Sequence, residues 1–160
     1  MIKGLACSLM TLTAMLNLPV YSVAGPINEL YLTTGSQVFV IQGNNIVRSW
    51  NTVNPFQEIP LAVEQTVRTL GFRPGGQGAE YSLGGTPTGP IYTNTVPLSF
   101  VQLTDGTTDG KFNYAVDFEG TGVWRFNRDW SDPHLLFSNR IPFTQFVGIT
   151  FDPVWRLAPV

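Results

Sequence analysis

The sequence predicts an all-β fold built of antiparallel four-stranded units, and three observations carry that expectation. Sixteen glycines and twelve prolines punctuate the 160 residues. Between them lie short runs rich in Val, Ile, Thr, Tyr and Phe, which is how strands bounded by turns are written. Within the runs, residue character alternates with period two. In Asn113–Phe118, Tyr114, Val116 and Phe118 share one face and Asn113, Ala115 and Asp117 the other. In Gly122–Phe126, Trp124 and Phe126 oppose Val123 and Arg125. Such alternation half-buries a strand.

Taken in order, the elements begin with an export signal. Met1-Ile2-Lys3 is a short positive head, Gly4–Val20 is mostly apolar, and Ser22-Val23-Ala24 offers small residues before Gly25. That pattern predicts a secretory signal peptide over residues 1–24 and a single β-repeat domain over residues 25–160. The apolar part is short of the roughly 20 residues of a membrane span. No span is therefore expected once the signal is cleaved, and the location implied is secreted, extracellular or periplasmic. The single cysteine, Cys7, would leave with the signal, so the remaining domain is expected to be held by burial alone.

Twelve strands are expected in the domain: Glu29–Thr34, Gln37–Gln42, Ile46–Trp50, Ile59–Val63, Arg68–Phe72, Glu80–Leu83, Ile91–Asn94, Ser99–Leu103, Asn113–Phe118, Gly122–Phe126, His134–Ser138 and Phe146–Phe151. The links between them carry turn chemistry, among them Thr34-Gly35-Ser36, Arg73-Pro74-Gly75-Gly76, Asp105-Gly106 and Glu119-Gly120-Thr121-Gly122. Pro60–Leu70 is the one helix-like stretch, and it is too β-branched and too poorly capped to read as helix.

An internal echo organises these strands. "QTVRTLGFRPG" (Gln65–Gly75) has the form of "TQFVGITFDPV" (Thr144–Val154), and a hairpin and a short apolar strand precede each. Four-stranded units repeated along a chain are the signature of a β-propeller. About two units and a partial third are legible, fewer than the four or more of a closed ring. The expectation is an incomplete β-propeller: an open pair of twisted sheets, a ring completed by several copies, or a chain truncated at its C-terminus. The inner strands of the units are expected at Arg68–Phe72 and Phe146–Phe151. An open edge at the latter is expected to self-associate.

Composition narrows the function. The chain is 43% hydrophobic and only 12% charged, with a formal net charge of −2 and no basic run. Nothing here suits a nucleic-acid surface.

The stretches "GAEYSLGGTPTGPIY", "LTDGTTDGKFNYAVDF", "GVWRFNRDWSDPHLLF" and "VGITFDP" resemble exported bacterial β-propeller-type repeat proteins, many of which carry a PEP-CTERM sorting tail. The resemblance runs from about Glu29 to Pro153 and is most specific over Asp105–Pro153. It implies that the "GITFDP" run is the innermost strand of a blade. After Asp152-Pro153 the sequence departs from the family pattern with "VWRLAPV" and has no Pro-Glu-Pro tail.

Four constellations bear on chemistry. Asp105, Asp109 and Asp117, in "DGTTDGKFNYAVD", approach a calcium-loop spacing, but Thr107 stands at its third position and Val116 at its twelfth. Asp-Gly pairs are also ordinary turn formers. Ser131, Asp132 and His134 hold a triad's residue types, yet as chain neighbours without an elbow motif they read as a loop. Glu58, Glu64, Glu80, Asp117 and Glu119 could supply a carboxylate pair for glycoside cleavage. Trp50, Trp124, Trp130 and Trp155 could stack on an extracellular glycan, with Trp124 and Trp130 the candidate ligand-binding pair; for Trp50 and Trp124 a core or strand-edge place is the stronger expectation. The sum is an exported non-catalytic structural or binding module. Two alternatives stand beside it: a propeller-type extracellular enzyme (a lactonase or glycan-acting lyase) and a calcium-stiffened adhesive module.

Overall fold

The computed structural model describes residues 29–118, 122–138 and 148–150. The expected signal peptide, the Glu119–Thr121 part of a turn and most of Phe146–Phe151 lie outside these residues. Gly148–Thr150, the described part of that last segment, are not in a strand. The described residues form eleven strands: β1 (Leu30–Thr33), β2 (Gln37–Gln42), β3 (Asn45–Asn51), β4 (Glu58–Val63), β5 (Thr66–Gly71), β6 (Gln77–Ser82), β7 (Pro87–Thr93), β8 (Leu103–Thr108), β9 (Phe112–Asp117), β10 (Val123–Asn127) and β11 (His134–Phe137). They join in chain order into three antiparallel sheets, β1-β2-β3, β4-β5-β6-β7 and β8-β9-β10-β11. The fold is all-β with propeller-like blades. No helix among the described residues is long and apolar enough to cross a membrane.

Alternation builds the blades. In β2, Val38 and Val40 are buried while Phe39 and Ile41 are half-buried. In β10, Trp124 and Phe126 are buried and Val123 and Arg125 half-buried. In β9 the outcome is reversed from a simple apolar-in rule. The fully buried face carries Asn113 and Ala115, and Tyr114 is half-buried. The register explains it, because Ala115 lies opposite Trp124 and its small side chain leaves room for the indole. Asn113 donates on that face from Nδ2 to the Arg128 carbonyl at 2.9 Å.

The expectations need correction at two places in the fold. Asp105-Gly106 is not a turn, and Ser99–Leu103 is not a strand: Ser99 and Phe100 turn, and β8 starts at Leu103 and runs through both Asp105 and Gly106. The hairpin reverses instead at Asp109-Gly110-Lys111, where Gly110 has φ +85°. Gly106 is needed for close approach. A Cβ there would lie 2.9 Å from both the nitrogen and the carbonyl oxygen of Leu61, so β8 rides directly on the β4 backbone.

The second correction concerns which strands face the middle. β4 and β8 pack against each other and are the inner strands of their sheets. Arg68–Gly71 therefore belongs to the second strand, β5, not the first, and Phe72 lies just past its end. The three-stranded sheet has no counterpart of β4. Gly35 (φ +83°) precedes Gln37 of β2 by two residues, and Gly75 (φ +79°) precedes Gln77 of β6 by two. By this match β1 corresponds to β5. Its end also meets the start of β4 in a single antiparallel bridge, Gly35 to Glu58, as expected if it runs opposite to β4. Among the described residues nothing pairs with the inner edge of β1.

Candidate functional site

β1 and β4 are joined at one end only, by the Gly35–Glu58 bridge and by the Thr33 hydroxyl donating to the Glu58 carbonyl at 2.6 Å, and a cleft opens between them. Its volume is about 580 Å³, in the range of small-molecule and peptide pockets. β1 contributes Leu30 to Thr33, β4 contributes Ile59 and Leu61, and β8 contributes Thr104 to Thr107. Gly148, Ile149 and Thr150 close the far wall. Leu30 and Leu32, on the edge strand β1, are 57% and 53% exposed here and form a paired apolar surface. Among the described residues Asp105 is the only carboxylate of the lining, and no Lys, Arg or His of theirs lines it. Its Oδ2 accepts from the Ile149 amide at 2.8 Å and its Oδ1 from its neighbour Gly106 at 2.8 Å.

Beneath the cleft lies a polar seam that sequence reasoning did not single out as such. Glu58, at the start of β4, is fully buried. Its Oε1 accepts from the backbone and side-chain nitrogens of Asn54 at 2.7 and 3.2 Å. Its Oε2 accepts from the hydroxyls of Thr69 and Tyr81 at 2.5 and 2.7 Å. Tyr81 in turn accepts from the Val53 amide at 2.8 Å. Burial, followed by the Glu58 carboxylate, raises the Tyr81 hydroxyl far above its ordinary value, so it stays a donor. The seam ties the loop leaving the first sheet to three strands of the second.

The remaining acids hold turns and loops. Glu64 binds Arg68 at 2.6 Å and also Arg128, joining the second sheet to the third. Glu80 accepts from the hydroxyls of Thr88 and Tyr92 at 2.8 and 2.9 Å. Burial pushes its carboxyl up, but those two donors and Arg68 outweigh it and hold it below the usual range. Asp117 is buried at the end of β9. Asp109 caps its own turn. Its Oδ1 accepts from Lys111 and Phe112 amides at 2.8 and 2.7 Å, and its Oδ2 from the Tyr114 hydroxyl at 2.7 Å. Asp105 and Asp117 belong to adjacent strands near one end of the β8–β9 hairpin, and Asp109 sits at its other end. Among the described residues no three His, Cys, Asp or Glu side chains converge to hold a metal ion.

Trp124 and Trp130 both lie in the main core, 3% and 0% exposed, with Trp130 packed edge-on to Phe126 at 5.3 Å. Trp130 adopts φ +59°, a conformation that costs a non-glycine residue about 1 kcal/mol and that its complete burial offsets. In the loop around it, Ser131 donates to Asp129 at 2.5 Å, whereas His134 bonds Asp132 at 3.1 Å. The serine and the histidine thus have separate partners.

No protein-family model matches the chain, and no curated protein does. Among solved structures, one chain of the crystal structure of a nidogen/laminin complex matches with a TM-score of 0.50 and 19% identity. The match covers 79% of this chain and 49% of that one, so this chain spans about half its length. At that identity the likeness is one of fold. It reaches the propeller-like part of the resemblance drawn from the sequence; the exported group with sorting tails has no counterpart in it.

Proposed function

We propose that the protein is an exported, non-catalytic module that binds another protein in the cleft between β1, β4 and β8. The observation that carries this reading is the pair of exposed leucines, Leu30 and Leu32, on the apolar wall of that cleft. Contiguous exposed apolar surface inside a concavity marks an interaction site. Two further points support it. Glu58, Glu64, Glu80 and Asp109 are each engaged by structural donors, which leaves them no poised role in acid or base chemistry. The solved structure of similar fold comes from a complex between proteins, a context that favours a protein over a glycan as partner. Export rests on the charged head, apolar stretch and small-residue exit of Met1–Ala24.

The test uses an environment-sensitive apolar dye, anilinonaphthalene sulfonate, with the folded protein. Dye fluorescence should rise on saturable binding and fall several-fold in Leu32→Asn, whose exposed position leaves the fold unchanged by circular dichroism. Equal dye binding by the variant would remove the cleft as the contact site. Export is checked separately by N-terminal sequencing of protein from a bacterial periplasm or medium, which should begin at Gly25.

A further inference from the structure

We propose that the cleft binds an extended polypeptide segment as an added β-strand on the free edge of β1, with a Lys or Arg of that segment meeting Asp105. This rests on the reading of the cleft as a protein-binding site and names how the partner is held.

The phase of the β1 hydrogen bonds identifies which groups are on offer. Thr34 donates to the Gln37 carbonyl at 2.9 Å, so Thr34 bonds toward β2. In an antiparallel ladder the bonding side alternates residue by residue, so Leu32 and Leu30 also bond toward β2. Tyr31, Thr33 and Gly35 then direct their backbone groups to the other edge. Gly35 uses that edge, since its carbonyl accepts from the Glu58 amide at 3.4 Å. The Thr33 side chain adds one more tie, donating to the Glu58 carbonyl at 2.6 Å, but among the described residues no backbone group pairs with Tyr31 or Thr33 on this edge, so two amides and two carbonyls are offered to the cleft. An uncovered strand edge is a template for another strand.

The direction and size of the occupant follow. A strand antiparallel to β1 runs the same way as β4, which is the sense of the inner strand that this sheet lacks. β1 has four residues, so the pairing spans roughly 13 Å at about 3.3 Å per residue. Leu30, Leu32 and Leu61 give the segment apolar contacts on alternate residues. Charge sets the rest. Among the described residues Asp105 is the sole carboxylate in the lining, and no cationic side chain of theirs faces it there. Its two backbone N–H bonds fix its orientation and leave its charge to be matched by a basic residue of the partner.

The experiment uses a capped five-residue peptide alternating valine and threonine, with one threonine replaced by lysine, and measures binding by isothermal titration. The expected result is saturable one-to-one binding. Affinity should drop at least ten-fold when alternate peptide amides are N-methylated in the phase that faces β1. It should also drop when the peptide lysine is replaced by glutamate. In Asp105→Asn, which retains an oxygen to accept from Ile149, the lysine and glutamate peptides should bind alike. Equal binding of the N-methylated and unmodified peptides overturns strand addition while leaving a protein-binding cleft in place. Failure of every peptide to bind, with dye binding still lost in Leu32→Asn, has the same meaning. A concentration-dependent dimer in analytical ultracentrifugation that Leu32→Asn abolishes overturns the proposal in favour of a second copy as occupant.

Discussion

Glu58 is the residue on which the join between the first two sheets turns. A carboxylate with no solvent exposure is costly unless its lone pairs are filled, and here four donors fill them. Removing it leaves the buried Tyr81 hydroxyl with nothing to donate to, strips the half-buried Asn54 amide of its acceptor, and turns the Thr69 hydroxyl to the Ala79 carbonyl at 3.1 Å. Unpaired buried donors cost about 1–3 kcal/mol each and are not strictly additive. Glu58→Ala should therefore lose about 3–5 kcal/mol of stability in urea denaturation, at unchanged m-value. Glu58→Gln keeps one acceptor oxygen but turns an amide group toward donors, and should lose an intermediate amount. A loss below about 1 kcal/mol in Glu58→Ala would mean that water replaces the carboxylate and that the seam contributes little. The sequence offers a weak sign of this role: Glu58 opens the apolar strand "EIPLAV", where a charged residue at a buried position needs partners. Those partners come from Asn54, Thr69 and Tyr81, up to 23 residues away, and no local pattern points to them.

At the scale of the element, most strands were legible because alternation and turn residues are local. The misreadings share one cause. Asp-Gly is a turn former in isolation, yet Gly106 lies mid-strand because β8 must sit on the backbone of Leu61, a contact 45 residues distant that no dipeptide announces. The hairpin turns at the next acid, Asp109, whose carboxylate accepts from the amides of residues 111 and 112 as an Asx turn does. Asp109→Ala should cost about 1 kcal/mol at neutral pH, the value of a lost cap. The sign with pH follows from its environment. Burial pushes the carboxyl up, but the Tyr114 hydroxyl and the two amides overcome this and hold it below the ordinary 3.8. The contribution is thus present above pH 3.8 and disappears as pH falls through the lowered value. Wild type and Asp109→Ala should converge in stability toward pH 2. Tyr114 behaves in the opposite sense. Burial, then Asp109, pushes it up to about 12, so its share is full below pH 10 and is lost as pH rises toward that value. Thermal melts with and without calcium check the loop's other reading: a calcium-dependent rise that Asp109→Ala abolishes would make the aspartate a cation ligand instead of a turn cap.

Across the whole molecule the three sheets are not equally held. The second and third share the larger core, where Leu70, Leu103, Ala115, Trp124, Phe126 and Trp130 meet, and the Glu64–Arg128 pair spans the same boundary. That ion pair is partly solvated and adds at most about 1 kcal/mol. The first sheet meets the second through a smaller cluster, Val67, Ala79 and Tyr81 with Tyr31, Trp50 and Val63 packed on it. The first sheet also has three strands instead of four, and the inner edge of β1 is unpaired among the described residues. Local opening is cheapest where buried apolar contact is least and backbone hydrogen bonds face solvent. Native-state hydrogen exchange should therefore resolve two levels. Amides of β5 and β9, central in four-stranded sheets, should exchange only with global unfolding. Amides of β2 and β3 should exchange through a partial opening of lower free energy, and Tyr31 and Thr33 should exchange fastest of the strand residues because their N–H groups face the cleft. The binding proposal makes the same amides the reporters of occupancy: a bound strand should slow Tyr31 and Thr33 selectively, and the rest of the first sheet by the binding free energy. Uniform protection across β2, β5 and β9 in the free protein would mean that the small cluster and the Glu58 seam lock the first sheet as tightly as the large core locks the other two, and the fold would then open as a single unit.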